Sequence, residues 1–266
     1  MQKIKVNFTQ RTTAYNSDPH AHDGYELYFL LEGTREAYSS SQTFLLPPKT
    51  FYVFRPFKLH QLKGDRYTKI DICINESLLT NEERTFLDFV AGGSPVSLDG
   101  ENYSLYVDLL KKAVALQNSK KANAEEYICT LTKTILLFLQ ENATPSSFIP
   151  PSVLANPLAD PLVVQLVSYL DQNYPSKITL QELSEKFFFS SVLLGKRFKK
   201  SMHCSIMDYL LRLRLNEAQF LLASTDKSIE EISDLCGFSS ANYFGLIFKK
   251  HRQCSPMHYR KMKQKK

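Results

Sequence analysis

The sequence predicts an α+β multidomain protein: an N-terminal antiparallel β barrel with two following helices, then a C-terminal all-α domain built from two copies of a two-helix unit. Three observations carry this. Up to about residue 75, short segments rich in Tyr, Phe, Leu, Ile and Thr alternate with turn residues, as strands do. Beyond residue 160 the apolar residues recur at helical spacing instead. Between them lies a stretch dense in proline, which divides the chain into residues 1–100, a helical pair at 101–142, a linker at 143–160 and a helical domain at 161–266. With 266 residues, 43% of them apolar and 12% aromatic, the chain can fill more than one core.

The expected strands are Lys5 to Phe8, Tyr25 to Leu31, Arg35 to Ser39, Thr43 to Leu46, Phe51 to Phe54 and Tyr67 to Ile74. Pro19, Gly33, Pro47, Pro48, Pro56 and Gly64 separate them. Within this region His20-x-His22-x-x-x-Glu26 precedes Gly33, and a second half ends Arg55-Pro56-x-x-x-His60. These residues resemble the two motifs of the cupin barrels. In metal-binding cupins the resemblance makes His20, His22, Glu26 and His60 the ligands, since two imidazoles two apart on a strand share one face. In regulatory cupins the same pattern binds an effector or lines the barrel mouth. The four residues are therefore candidate effector-binding groups, with metal ligation and a structural role left open and no cofactor required.

Tyr103 to Gln117 and Ala124 to Glu141 read as helices. The first carries a broad stripe of Tyr106, Leu109, Leu110, Ala113, Val114 and Leu116; the second carries Ile128, Leu131, Ile135, Leu136, Phe138 and Leu139. Such a pair caps the barrel or buries one face against a second subunit. Pro145, Pro150, Pro151, Pro157 and Pro161 then exclude helix through most of the linker. Asp160 followed by Pro161 starts the next helix, Leu162 to Asn173.

The helical domain repeats itself at an interval of about fifty residues. Thr179 with Glu182, and Ser228 with Glu231, are capping boxes that satisfy orphan amides at two helix starts. Gly237 can take the left-handed conformation that ends a helix. Ser190-Ser191 and Ser239-Ser240 then open a second helix in each copy, with Leu194 and Phe198 facing in from one and Phe244, Ile247 and Phe248 from the other. Between the copies, Ser205 to Leu222 has neither Pro nor Gly and reads as one long helix. Two short helices with a tight turn, the second offering a polar and basic outer face, form a helix-turn-helix.

Arg214-Leu215, Ala218, Leu221-Leu222, Gly237-Phe238, Tyr243-Phe244, Phe248-Lys249-Lys250, Ser255-Pro256 and Tyr259-Arg260 together resemble the AraC/XylS family of bacterial transcription regulators over about a hundred residues. A cupin is the usual sensor half of many members. The chain departs from the family pattern after each recognition helix, where His203 and Gln253 replace a glycine, and at Gly245 and Leu246, where a serine and an arginine are common.

Charge agrees with a nucleic-acid partner. Residues 161–266 hold 17 Lys/Arg against 9 Asp/Glu, a balance of +8, whereas residues 1–160 hold 16 against 18. Five cysteines without C-x-x-C spacing suit reduced core thiols. No apolar run of about 18 residues supports a membrane span, so the expected location is the cytoplasm.

The reading is a sequence-specific DNA-binding transcription regulator, activator or repressor, and not an enzyme. Helices Ser191 to Met202 and Ser240 to Arg252 are expected in successive major-groove segments about one helical turn apart. Val192, Lys196 and Lys199 form one outward stripe, and Asn242, Leu246 and Lys249 the other. Asn pairs with adenine, Lys reaches guanine or phosphate, and Val and Leu touch thymine methyls. Lys200, Lys250 and the helix starts at Ser190, Ser191, Ser239 and Ser240 hold phosphates. The implied partners are double-stranded DNA, RNA polymerase, a small-molecule effector and a second copy of the chain. The alternatives are a metal-dependent cupin enzyme fused to DNA-binding motifs, and an architectural DNA protein without effector.

Overall fold

The computed structural model describes residues 3–39, 42–92, 95–98, 100, 102–119, 121–142, 149 and 159–264. Strands β1 (Ile4–Arg11), β8 (Tyr67–Ile74), β3 (Tyr25–Gly33), β6 (Thr50–Phe54) and β9 (Val96–Ser97) lie side by side in that order. A second sheet has the order β2 (Tyr15–Asn16), β7 (His60–Gly64), β4 (Arg35–Ser39), β5 (Gln42–Leu46). Every pairing is antiparallel. Leu27, Phe29, Phe51, Ile70 and Ile72 are wholly buried, so the strongest aromatic and β-branched segments became the centre of the first sheet. Gly33 has no alternative: at φ 79°, a Cβ there would stand 2.0 Å from the Arg66 carbonyl oxygen.

Strands β2, β7 and β9 were not expected. β7 reads HQLKG, with Leu62 its one strongly apolar residue, and becomes a strand because β4 pairs with it, Ala37 opposite Leu62. Helix α1 (Asn81–Ala91) was also missed, although Thr80 and Glu83 form a capping box there, with bonds of 2.7 and 3.1 Å.

Helices α2 (Tyr103–Gln117) and α3 (Ala124–Asn142) follow their predicted spans to within one residue. Their apolar stripes pack on the barrel of the same chain, where Tyr106, Leu110, Ile128, Ile135 and Leu139 join its core. Gln117 Oε1 accepts from the Val6 amide of β1 at 2.9 Å. The predicted stripes are thus used inside the chain rather than against a second subunit, because β1 leaves an apolar flank that those two faces cover.

The predicted linker, with Pro145, Pro150, Pro151 and Pro157, lies outside the described residues. Helix α4 (Pro161–Asn173) begins at Pro161, and Asp160 caps it by accepting from the Leu162 amide at 3.0 Å. Asp160 also takes Arg197 in a two-pronged pair at 2.7 and 2.5 Å, which holds its carboxyl below the usual range. There follow α5 (Leu180–Phe187), α6 (Ser191–Met202), α7 (Ile206–Ser224), α8 (Ile229–Leu235), α9 (Ala241–Arg252) and α10 (Pro256–Gln264). The long helix α7 belongs to two cores: Ile206, Tyr209 and Leu210 pack with α4 and α6, and Leu215, Ala218 and Leu222 pack with α8 and α9. All five cysteines are free, and burial pushes the thiols of Cys73, Cys129, Cys204 and Cys236 up.

The halves touch. Tyr38 of β4 and Leu59, just before β7, are buried in the same cluster as Leu162, Leu166 and Leu170 of α4. Arg212 donates to the Pro19 carbonyl, Lys263 pairs with Asp23, and Gln61 Nε2 donates to the Met202 carbonyl at 3.3 Å.

Candidate nucleic-acid interface and metal centre

In the first unit, α5 is started by Thr179 and Glu182, which bond reciprocally at 2.7 and 3.2 Å. Ser190 caps α6 by accepting from the Leu193 amide at 3.3 Å. In the second, Ser228 and Glu231 start α8 with bonds of 2.7 and 3.1 Å, and Ser240 caps α9 by accepting from the Tyr243 amide at 3.2 Å. The ending of α8 matches its sequence signal. Gly237, at φ 75°, donates to the Asp234 carbonyl while Phe238 donates to that of Ser233, which satisfies two orphan acceptors.

The two second helices have the same burial, position by position, over their first ten residues. Leu194 and Phe198 face in from α6 as Phe244 and Phe248 do from α9. Val192, Lys196, Lys199 and Lys200 are exposed on the first, and Asn242, Leu246, Lys249 and Lys250 on the second. Val192 and Leu246 are 79% and 70% exposed, an apolar outlay with no partner in the fold. Of the serines, Ser190 and Ser240 are the caps; Ser191 is the first residue of α6, and Ser239 is exposed just ahead of its cap.

His203 and Gln253 end α6 and α9 in the left-handed conformation at φ 56° and 58°, each donating its amide four residues back, to Lys199 and Lys249. The helices therefore end where the glycine of the family pattern would end them, at a cost of about 1–2 kcal/mol per residue for a side chain in that region. Phe188, 92% exposed in the turn of the first unit, carries the same strain at φ 59°. Gly195 and Gly245 sit at matching places in α6 and α9, and a Cβ on either meets nothing within 4 Å. Gly195→Ala and Gly245→Ala are each expected to stabilise the fold by about 1 kcal/mol, raising the thermal midpoint by about 2–4 °C. Thermal denaturation followed by circular dichroism checks this, and a lowered midpoint contradicts it.

The histidine cluster is assembled differently from the strand picture. His20 forms an isolated bridge with His60, their amides and carbonyls bonded at 2.9 and 2.8 Å, and His22 stands in the loop after it. The two imidazoles converge because the bridge holds His20 beside β7 and the loop after it brings His22 toward Glu26, not because they share a strand face. Glu26 comes from β3 and His60 from β7, so both sheets contribute. One ligand-capable atom from each of the four lies within 4.8 Å of all the others.

Their hydrogen bonds fix where the lone pairs point. His20 Nδ1 bonds the Asp18 carbonyl at 2.8 Å and His60 Nδ1 the Lys58 carbonyl at 3.2 Å; each Nδ1 is therefore a donor, and in the neutral ring Nε2 then carries the lone pair. His60 Nε2 nevertheless stands 3.0 Å from Glu26 Oε2, and His22 Nε2 stands 3.2 Å from the same oxygen. All three atoms are buried without a hydrogen bond of acceptable geometry. A carboxylate facing two imidazoles in a buried site is satisfied by a proton on the rings or by a cation held between them. A divalent ion with bonds of about 2.0–2.2 Å has ligands about 3 to 4.4 Å apart, so the cluster fits after closing by a few tenths of an ångström. Backbone carbonyls on the far nitrogens are also what orient imidazole ligands.

Burial and the neighbouring His60 pull His20 down to about 4, so it is neutral at physiological pH. Burial opposes charge on both His22 and Glu26, yet their contact outweighs it, raising His22 and, with His60, holding Glu26 well below the carboxylate range. Sequence reasoning missed Lys69 and Asp71 behind Glu26, with Lys69 Nζ 3.9 Å from Glu26 and 2.5 Å from Asp71. It also missed Phe54, stacked on the His60 ring at 4.1 Å. The alternation of β8 was the available signal for the pair.

Residues 183–262 match the family described as a helix-turn-helix domain. Over 260 residues, 93% of this chain, it is 25% identical to the uncharacterised HTH-type transcriptional regulator YdiP of Escherichia coli K12, covering 84% of that protein. It is 24% identical to the uncharacterised HTH-type regulator YfiF of Bacillus subtilis over 94% of this chain and 81% of the other. Among solved structures, a transcriptional regulator with an AraC-type DNA-binding domain from Chromobacterium violaceum is 30% identical over 40% of this chain and 94% of its own, with a TM-score of 0.37. Paired capping boxes, duplicated burial and basic outer stripes, together with the helix-turn-helix match and the two regulators of Escherichia coli and Bacillus subtilis, define a DNA-binding transcription regulator. Its C-terminal part carries the helix-turn-helix domain over residues 183–262.

Among the described residues no helix is long and apolar enough to cross a membrane.

Proposed function

We propose that this regulator is a cytoplasmic, non-enzymatic sensor whose cupin-like barrel controls DNA binding through a divalent transition-metal ion at His20, His22, Glu26 and His60. The observation that carries the reading is the convergence of one ligand-capable atom from each of these four residues within 4.8 Å of the others. Imidazole and carboxylate donors suit ions such as zinc, manganese, iron or cobalt. When bound, such an ion supplies a charge that the four acceptors share. A small effector bearing an oxygen or nitrogen donor would be a further ligand to such an ion. The chain's own part is to orient the donors: Asp18 and Lys58 through their carbonyls, and Phe54 through its stacked ring. The basic, duplicated helices favour a regulator over a cupin enzyme.

Recognition is assigned to Val192, Lys196 and Lys199 with Asn242, Leu246 and Lys249. Phosphates go to Lys200, Lys250 and the helix starts at Ser190, Ser191, Ser239 and Ser240. The proposed division keeps residues 1–100 as sensor, 101–142 as helical pair, 143–160 as linker and 161–266 as DNA-binding domain. A dimer is supported by the outer side of α3, where Tyr127 and Leu137, each 55% exposed, fall with Thr130 and Thr134 on one stripe of three-four spacing. RNA polymerase is the further partner at a promoter.

The test is selection of bound duplexes from a random DNA pool by the full chain, with and without cobalt(II), while the visible spectrum of the protein-bound ion is recorded. The expected result is an enriched sequence and a cobalt spectrum characteristic of nitrogen and oxygen ligands. No cobalt binding would remove the metal from the proposal, and binding without sequence enrichment would favour an architectural protein.

A further inference from the structure

Three consecutive residues, Phe57, Lys58 and Leu59, join the histidine cluster to the helix that holds the two DNA-reading units together. On the cluster side their contacts are made by backbone: the Phe57 amide donates to the His22 carbonyl at 2.7 Å, and the Lys58 carbonyl accepts from His60 Nδ1 at 3.2 Å. On the other side they are made by side chains. The Phe57 ring faces the Phe220 ring of α7 at 6.0 Å, and Lys58 Nζ stands 3.7 Å from the Glu217 carboxylate of α7. Leu59 is buried among the apolar residues of α4. Phe57 is also strained: at φ 59° it is a bulky side chain in the left-handed region, a conformation kept only where the surroundings over-determine it. The turn stands over a cavity of 260 Å³ between the halves, lined on the far side by Tyr174, Leu213 and Glu217, so its side chains have room to shift. The loop on the other flank of the cluster is tied to the same domain, through Pro19 to Arg212 and Asp23 to Lys263.

We infer that the Phe57–Leu59 turn is the lever of this regulator, so that closure of His22 and His60 on an ion is passed through Phe57 to Phe220 and resets the seat of α7. The inference rests on the metal reading above and names how that site acts. It makes Phe57 a positioning residue, touching neither the ion nor DNA. Helix α7 shares its two ends between the cores of both reading units, so a change in its seat alters their common platform. Ion binding and DNA binding are then linked, and by the same factor in both directions.

The experiment measures the DNA affinity of the full chain, on a duplex selected as above, with and without saturating cobalt(II), and the cobalt affinity with and without that duplex. Wild type is expected to show a change of at least fivefold in either direction, equal in the two titrations. Phe57→Gly retains the left-handed backbone and the amide to His22 while deleting the ring. It should keep the cobalt spectrum, and its cobalt affinity within about twofold, but lose at least two thirds of the linkage. Phe220→Ala, remote from the ligands, should do the same and decides the matter if Phe57→Gly disturbs cobalt binding. Full linkage in Phe220→Ala overturns the lever. Cobalt binding in wild type with no effect on DNA affinity also overturns it, while leaving the metal reading intact; absence of cobalt binding in wild type overturns both.

Discussion

Replacing both His22 and Glu26 by alanine will lower the affinity for a divalent ion by about a thousandfold or more and abolish any response of DNA binding to it. The magnitude follows from losing two of four ligands. Structural zinc sites with four protein ligands bind with about 10–16 kcal/mol, so each ligand carries about 2.5–4 kcal/mol. Glu26 matters most in this set: it is 4% exposed at its side chain, and both His22 and His60 are directed at its Oε2. In the absence of ion, DNA affinity is expected to stay within about twofold of wild type, because every exposed stripe residue lies in the helical domain. Isothermal titration with cobalt(II), paired with a DNA-binding titration of the same preparation, checks both halves. Glu26→Gln serves as the companion variant, since it keeps the volume and removes only the anionic acceptor. If ion affinity survives in both variants, the four residues line the barrel without forming a metal centre.

Lys196→Ala will weaken DNA binding by about 1–3 kcal/mol and relax base preference in one half of the site, whereas Leu246→Ala will cost less and act mainly at a thymine. Both side chains are exposed at equivalent turns of α6 and α9, so neither change opens a cavity in the fold. The difference comes from chemistry. The first stripe offers two ammonium groups, Lys196 and Lys199, while the second offers Asn242 and Lys249 with Leu246 between them, which can only pack against a methyl group. The measurement is a titration of each variant against a duplex altered one base pair at a time at constant salt. Equal loss by Lys196→Ala on every duplex would mean a phosphate contact, and a larger loss for Leu246→Ala would reverse the proposed ranking.

The helical domain was legible because its signals are local. Capping boxes at Thr179 and Ser228, the glycine at Gly237 and the inward phenylalanines at Phe198, Phe244 and Phe248 act within one or two turns of chain, and each is found where its spacing puts it. Duplication made them more readable, since one copy interprets the other. The strands with aromatic and β-branched content were legible for the same reason, and β7 was not, because a strand reading HQLKG is made by its partner across the sheet.

The identity of His20, His22, Glu26 and His60 as a set was readable from their resemblance to the two cupin motifs, but their convergence was not. It needs a bridge between His20 and His60, residues far apart in sequence, and a loop that turns His22 back toward β3. The proline-rich composition near residue 150 marks a linker but says nothing of the contacts across it, where Leu59 and Tyr38 are buried against α4 and the Phe57 turn lies against α7. The sequence by itself determined which helices carry exposed basic stripes and which four side chains could share an ion, because caps, periodicity and ligand type are written residue by residue. Tertiary structure alone decided that those two sites are connected, because the connection runs through side chains brought together from distant parts of the chain, which no local pattern encodes.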